Sequence, residues 1–315
     1  MGISRVAGNP DYSSSGTSKF IPELWAGQFL VKFYKSTFYT DICNTDYQGQ
    51  IGNVGDKIYI RTIPTLTIND YQKGQKLNYE RPESADVEMT IDYGHYWAFT
   101  LDDIDAYQSD MKLMSAFSND AAEQLKIKVD YTVLKGITYG SSGTFPGSSY
   151  NTGATAGVIS SGFNMGASGA PVQITKSNVL DYIVDAGTIL DEQNVPETGR
   201  WMIIPAWMKN LISKSDLKDA SMTGDGESIL RNGRIGIIDT FTLYKSNNLY
   251  SATDGSFTAY YVPFGTNHAT SFAAQITKTE TLRAESTFGD LIRGLMVYGF
   301  KVVKPEALGL LYCRK

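Results

Sequence analysis

From residue 57 to residue 101 the chain alternates apolar and polar side chains, and nothing next to this stretch in sequence can cover its apolar face. Ile58 and Ile60 alternate with Lys57, Tyr59 and Arg61, and Leu66 and Ile68 continue beyond Pro64. After a polar stretch, "YQKGQKLNYERPESA", come Val87, Met89, Ile91 and Tyr93, then His95, Trp97, Phe99 and Leu101. A period of two over this length predicts two long strands around a polar tip. An arm of about twelve residues reaches ~40 Å. A lone two-stranded hairpin is marginally stable in water. The cover is therefore expected from outside the stretch, with a neighbouring subunit as the source.

Composition points the same way. Of 315 residues, 42% are hydrophobic and only 19% charged, against ~25% charged in ordinary soluble domains. Tyrosine leads the aromatics, with 20 copies against 14 Phe and 4 Trp. It covers area while keeping a polar tip, and it is enriched at interfaces. The net charge is −5, and no Lys/Arg run has the density of a nucleic-acid-binding arm. That excludes a base-reading DNA binder, but not a protein that merely encloses nucleic acid. Cys43 and Cys313 lack metal-type spacing and read as thiols of a reducing compartment. Residues 1–19 hold no signal-peptide core, and no run approaches the ~18 apolar residues of a membrane span. The expectation is a soluble protein made in a cytoplasm, with no membrane partner.

The remaining segments predict a mixed α/β (α+β) chain. Residues 1–19 are expected to form a flexible arm. In "FIPELWAGQFLVKFYKS", Ile21, Trp25, Phe29 and Phe33 recur every fourth residue after Pro22, which predicts a helix with one aromatic face. "LDDIDAYQSDMKLMSAFSNDAAEQLKIKVDYTVLKGI" carries Met114, Phe117, Ala121, Leu125, Val129 and Val133 at helical spacing, with Gly136 as the expected stop. This helix reads as a strut. A Gly/Ser/Thr/Ala tract fills 139–170 and reads as a mobile loop. Ser177 is the expected cap of a helix to Gln193, with Leu180, Ile183, Val184 and Leu190 inward. Strand 201–204 and helix 206–212 follow, then a Gly-containing loop, "MTGDGES". Further strands are expected at 235–244, at 257–262 after an Asp254-Gly255 turn, and at "GLMVYGFKVV". No internal repeat is present.

Chemistry finds little support. His95 and His268 are the only histidines, and His95 reads as part of an aromatic strand. No ligand spacing for a transition metal exists. Asp102, Asp103 and Asp105 read as caps of the long helix rather than a cation site, because no calcium-loop pattern follows. The glycine tract lacks a phosphate-binding signature. Glu80 and Glu83 lie in the polar tip. "VPETGRWMIIPAWMKNLI", residues 195–212, places Glu197 and Arg200 at a strand-to-helix corner, where an acid–base pair could sit. The same residues make a tight turn with Gly199 at a positive φ and Arg200 bridging to backbone or a carboxylate. Lacking a cooperating histidine, metal or cofactor motif, the structural reading is preferred. The chain is not expected to be an enzyme or to need a cofactor.

Six segments in order resemble the major capsid proteins of tailed bacteriophages with the Hong Kong 97 fold. "FIPELW" resembles that family's opening helix, and the paired strands with "DYQKG" at the tip its extended loop. "LDDIDAYQS" and the helix after it resemble its spine helix. "EQNVPETGRWMIIPAWMKNLI" resembles a strand and helix of its axial domain. "GRIGIIDTFTLYKSNNL" and "FGDLIRGLMVYGFKVVKPEALGLL" resemble its late strands. The resemblance runs over residues 20–312, apart from the tract at 139–170. It implies an N-terminal arm and helix over 1–40, an extended β-hairpin loop over 41–101, a peripheral domain from 102–138 and 276–315, and an axial domain over 139–275. It implies hexamers and pentamers closing an icosahedral shell around packaged double-stranded DNA, in a virion made in the host bacterial cytoplasm. Scaffolding and portal proteins, and a decoration protein, are the implied partners.

Candidates for intersubunit contact are Trp25, Tyr71, Lys73, Lys76, Tyr93, Trp97 and Phe99. Lys73 and Lys76 also raise the idea of a covalent cross-link, against the simpler reading of two solvated lysines on a polar tip. Two other readings remain open at this point. One is an encapsulin-like compartment shell. The other, from a different class, is a carboxylate-dependent hydrolase with aromatic sugar platforms.

Overall fold

The segment RWMII, Arg200–Ile204, is buried at every residue, and LGLLYCR, Leu308–Arg314, at all but its last. Such unbroken apolar runs belong in the middle of a sheet covered on both faces. The structure, a computed structural model, describes residues 32–46, 57–64, 66–77, 79–83, 86–103, 113–139, 164–166, 169–215, 237–284 and 288–315. The expected arm, Trp25, Asp105, most of the glycine tract and the "MTGDGES" loop lie outside the described residues.

The helices are α1 (Tyr39–Ile42), α2 (Leu113–Tyr139), α3 (Val179–Glu192) and α4 (Ala206–Lys214). The first strands are β1 (Lys57–Arg61), β2 (Asp86–Thr90), β3 (Tyr93–Asp102), β4 (Asn164–Met165), β5 (Val172–Gln173) and β6 (Arg200–Ile204). Then come β7 (Ile237–Ile238), β8 (Phe241–Lys245), β9 (Ser251–Asp254), β10 (Phe257–Thr266), β11 (Thr270–Arg283), β12 (Gly289–Val302) and β13 (Leu308–Arg314). The larger sheet has the order β4-β13-β10-β6-β8-β7, with β5 on β13 and β9 on β10. The β9–β10 hairpin turns at Gly255, whose φ of 58° matches the expected Asp-Gly turn. The carboxy-terminal strand, in a stretch expected to join the long helix in the peripheral domain, pairs with β10 in the large sheet.

Helices α3 and α4 add Val179, Ile183, Leu190, Met208 and Ile212 to the same core. Val184, expected inward, is half exposed; Ala186, Gly187 and Ile189 make the buried stripe. Asn178 rather than Ser177 holds the cap position. Its side-chain oxygen accepts the Thr175 N–H at 2.7 Å and so fixes the turn before the helix.

A second sheet, β11-β12-β3, is antiparallel throughout. Here the sequence expectation needs correction. The hairpin of 57–101 is shorter than its alternation suggested. Lys57–Arg61 pairs with Asp86–Thr90, and Tyr93–Asp102 leaves to pair with β12. Alternation identifies which face of a strand is apolar, not which strand it pairs with. The face of β3 that lacked a cover in sequence lies under α2: Phe99 meets Phe117 edge to face at 5.9 Å.

Helix α2 does not stop at Gly136 but runs through it to Tyr139. The glycine serves a close approach: a Cβ there would lie 2.2 Å from the Phe300 ring. Val129, Val133, Leu134 and Ile137 are buried, whereas Met114 and Phe117 near the start are partly exposed. Asp103, expected as a cap, is bound by Arg283 where β3 ends. The expected helix through 36 is also absent where it is described: residues 32–38 are not helical and Phe33 is exposed. This segment lies along α2, with Lys32 Nζ and Tyr34 OH both donating to Asp120, at 2.6 and 2.8 Å.

Asp130, on α2, is fully buried. One carboxylate oxygen accepts the backbone N–H groups of Phe38 and Tyr39, at 2.8 and 3.0 Å. The other accepts the side-chain amide of Asn248 at 2.9 Å, and that amide also donates to the Ile127 carbonyl. Burial raises the carboxyl's pKa, and the amide and two N–H donors oppose the rise. Asp130→Ala would leave three donors without their acceptor. We expect a loss of roughly 2–4 kcal/mol, read as a lower Tm of the purified chain. An unchanged Tm would mean that apolar packing alone holds these segments.

Candidate intersubunit surfaces

The loop beyond β1 and β2 is anchored at its root and uncovered at its far end. Ile60 and Met89 are buried, and Met89 packs with Ala273, Ile58 and Ile91. Gly299 permits this crossing, since a Cβ there would lie 2.3 Å from the Thr90 carbonyl oxygen. Lys57 and Glu88 pair at 2.5 Å across the two strands. Beyond Arg61 the described residues form neither helix nor strand until Asp86. A turn closes the tip: Gly74 has φ 87°, the Gln75 N–H donates to the Gln72 carbonyl, and the Gln72 N–H donates to the Gln75 side chain. Farther back, the Thr67 N–H donates to a Glu80 oxygen at 3.2 Å. Ile63, Ile68 and Tyr79 are about nine-tenths exposed, at 95%, 92% and 89%, and Leu66, Tyr71 and Leu77 more than half. Large apolar side chains arrayed along an extended loop mark a surface that another body covers.

A second open surface is the face of the three-stranded sheet turned away from α2. Tyr96, Ala98 and Leu295 form the floor of a groove of about 530 Å³. Glu280 stands at its rim, paired with Lys278 and with Arg293, and both cations hold its carboxyl below the usual range. At the end of the sheet, Arg283 binds Asp103 and Asp290, which lowers the Asp103 pKa.

The contact candidates separate into two groups. Tyr71, Lys73 and Lys76 lie exposed in the loop, at or near its tip. Tyr93, Trp97 and Phe99 lie half buried on the α2 side of the sheet. Tyr93 stacks on Tyr298 and Phe300, and Trp97 on Phe99. The sequence reading did not single out Ile63, Tyr79 or Tyr96. Ile63 and Tyr79 were present as large side chains among polar ones in a stretch read by its overall polarity, and Tyr96 lies on the face of β3 opposite the apolar one that the alternation marked.

At the 195–212 corner, Glu197 is exposed and Arg200 is 1% exposed. Arg200 donates to the Pro196 and Val195 carbonyls, to Thr240 and to Asp191 at 2.6 Å, so its guanidinium holds the turn. Gly199 has the positive φ expected, 75°. Glu80 and Glu83 are exposed on the loop. Cys43 and Cys313 are buried free thiols; burial pushes Cys313 up to about 12 and raises Cys43 as well, which keeps both protonated. Among the described residues no three His, Cys, Asp or Glu side chains are placed to hold a metal ion.

A mixed α+β subunit with a spine helix, two sheets and an extended loop has the Hong Kong 97-like fold of shell-building proteins. The chain belongs to the phage capsid protein family, whose family model matches residues 86–311. Its structure is similar to that of a chain from Mycobacterium phage Che8, with 27% identity, 92% of this chain and 96% of that chain covered, and a TM-score of 0.75. It is also similar to the capsid of the cyanophage P-SCSP1u (16% identity, 97% of each chain, TM-score 0.73). The mature capsid of bacteriophage PhiM1 gives 16% identity, 99% and 97% coverage, and a TM-score of 0.68. The latter two establish the fold. Compared by sequence with curated proteins, the chain matches none. Its work is structural: as a capsid protein, it builds the shell of a virion with other copies of itself.

The loop side chains touch little of their own chain, so they should be dispensable to the free subunit. Ile68→Asp and Tyr79→Asp should each change its stability by no more than ~0.5 kcal/mol. Val133→Asp, in the core, should abolish folding. Phe117→Asp should be milder than a fully buried change, because Phe117 is 43% exposed and its replacement can reach water. Denaturant unfolding of the four variants checks the order.

Proposed function

We propose that this chain forms hexamers and pentamers that close an icosahedral shell around packaged double-stranded DNA, and that the 57–90 loop is the element each subunit lends to a neighbour. The observation that carries the reading is the uncovered apolar row on the loop, Ile63 to Tyr79, beyond a root that Met89 seats against Ala273. A head-to-tail contact of this kind is heterologous and closes into rings around a local axis. Trp25, Tyr71, Lys73 and Lys76 are assigned to that contact, and Tyr93, Trp97 and Phe99 to the peripheral core that supports it. The peripheral unit is the β11-β12-β3 sheet with α2, and the axial unit is the larger sheet with α3 and α4. Scaffolding, portal and decoration proteins are the further partners of such a shell, and synthesis takes place in the host bacterial cytoplasm. An acidic chain suits a container that does not read bases.

Two arms test this. The full chain, produced with its phage's scaffold, should give closed particles in electron images and the shell in virions should hold DNA; particles filled with protein cargo and no DNA would support the compartment reading instead. Deletion of residues 68–86 with a short Gly bridge should give a soluble, folded subunit that builds no stable shell. Normal shells from the deletion variant would remove the loop from the assembly contact.

A further inference from the structure

Asn248 lies between β8 and β9 and is buried, and the orientation of its side-chain amide is set by its partners. Nδ2 donates to the Ile127 carbonyl and to Asp130, both at 2.9 Å. Both partners are acceptors, so the nitrogen belongs on that side and the carbonyl oxygen on the other. There Oδ1 faces the Nζ of Lys35 at 3.5 Å. The Asn248 backbone is tied down as well: its N–H donates to Ser246 Oγ at 3.0 Å, and the Ser246 N–H to the Ile204 carbonyl at the end of β6. Lys35 is held on both sides. Before it, Lys32 and Tyr34 bind Asp120; after it, the Phe38 and Tyr39 N–H groups bind Asp130, and the Phe38 ring packs on Tyr244. A lysine amine, a carboxamide and a buried carboxyl thus meet where three distant parts of the chain cross. A charge-assisted N–H···O bond is about 2.8 Å long, so the Lys35 contact is a poor hydrogen bond. Reacting atoms held ~3–3.5 Å apart are placed for attack. Cγ is one bond from Oδ1, and the exposed lysine side chain needs only a small turn to bring Nζ over it.

We propose that Lys35 and Asn248 become joined by an isopeptide bond within one subunit, with Asp130 as the acid that releases ammonia. Nζ, as the neutral amine, adds to Cγ, and the carbonyl electron pair moves onto Oδ1. Nδ2 is then no longer an amide; it becomes basic and takes the proton of Asp130, with which it is already in contact. The pair on Oδ1 returns, the Cγ–Nδ2 bond breaks and ammonia leaves. Nζ gives one proton to water at the exposed end of the site. An amine and a carboxamide have become a secondary amide and ammonia, with no oxidant or other reactant. Asp130 is left as a carboxylate that keeps the Phe38 and Tyr39 N–H groups, so a single turnover needs no proton returned to it. Burial raises the Asp130 pKa, which brings the protonated form within reach inside the fold.

The bond would turn the hydrogen-bonded crossing at Asp130 into a covalent one. Lys35 and Asn248 are 213 positions apart, and closing so long a loop restricts the unfolded chain more than the folded one. The segment before α1 would then stay fastened to α2 and to the large sheet under conditions that break its hydrogen bonds. Lys32 cannot replace Lys35, because its amine is paired with Asp120 at 2.6 Å. The link lies within one subunit and does not depend on the assembly reading.

Intact mass and peptide mapping of the purified full chain, after overnight incubation at neutral pH, test it. The chain should weigh one ammonia less than its sequence, and trypsin should release a branched peptide joining Lys35 to Asn248, uncut after Lys35. Lys35→Arg, a change at an exposed position, should fold, keep its full mass and melt at a lower temperature than the linked chain. Lys32→Arg should link as the unmodified chain does. In a folded Asp130→Asn chain, linking should slow by roughly a hundredfold or more. Full mass and no branched peptide in the unmodified chain would overturn the proposal, leaving the Lys35 contact a hydrogen bond. Loss of ammonia that persists in Lys35→Arg would overturn it too, since Asn248 would then have closed on its own backbone as a succinimide. Linking at the unmodified rate in folded Asp130→Asn would remove Asp130 from the chemistry.

Discussion

One buried carboxylate holds together three parts of the chain that lie far apart in sequence. Asp130 sits midway along α2 and accepts from the backbone at Phe38 and Tyr39 and from Asn248 beside the large sheet. Each partner is a donor, so the arrangement suits an ionised group, although burial disfavours the charge. Burial of this kind is tolerated where every lone pair in use is matched. Around this point α2 makes its closest contacts. Val129, Val133, Leu134 and Ile137 join the main core, and Gly136 admits the Phe300 ring that packs against it. The rigid part of the subunit is thus a long helix fastened to both sheets.

What this frame leaves uncovered defines what the chain does. The loop root is fixed by Met89 against Ala273, but from Ile63 to Tyr79 the large side chains point to solvent. The free subunit gains nothing from these residues, which makes their presence informative: a protein that acted alone would carry polar residues there. The family match is to phage capsid proteins, and the proposed loop contact would complete such a subunit with its neighbours. The enzyme-like corner at 195–212 is explained by the same economy of contacts. Arg200 donates to two carbonyls, a hydroxyl and a carboxylate, which locks the entry to β6.

Local signals were legible in the sequence where a short-range rule decides the outcome. The stripe from Leu125 to Val133 predicts α2, the Asp254-Gly255 pair predicts a hairpin, and "PETGRW" predicts a turn entering a buried strand. Long-range choices were not legible. The alternation at 93–101 showed a half-buried strand but could not name β12 as its partner. "LGLLYCR" is too short and too uniformly apolar for its place beside β10 to be read from sequence. Gly136 looked like a stop because the Phe300 ring it accommodates lies far along the chain. Asp130 carried no signal at all, since its partners at Phe38 and Tyr39 are backbone groups. On the loop, Leu66 and Ile68 were legible from the alternation, but Ile63, Leu77 and Tyr79 were lost in the polarity around them, and the named contact candidates divide between the loop and the inner seam.

The central claim is that residues 57–90 are completed by another copy. Hydrogen exchange measured on the free subunit and on assembled shells tests it directly. Backbone amides from 62 to 83, outside any helix or strand where described, should exchange quickly there and become protected by orders of magnitude in the shell, while β6 and β13 change little. Equal exchange of 62–83 in both states would contradict the account, because the loop would then have no partner to gain.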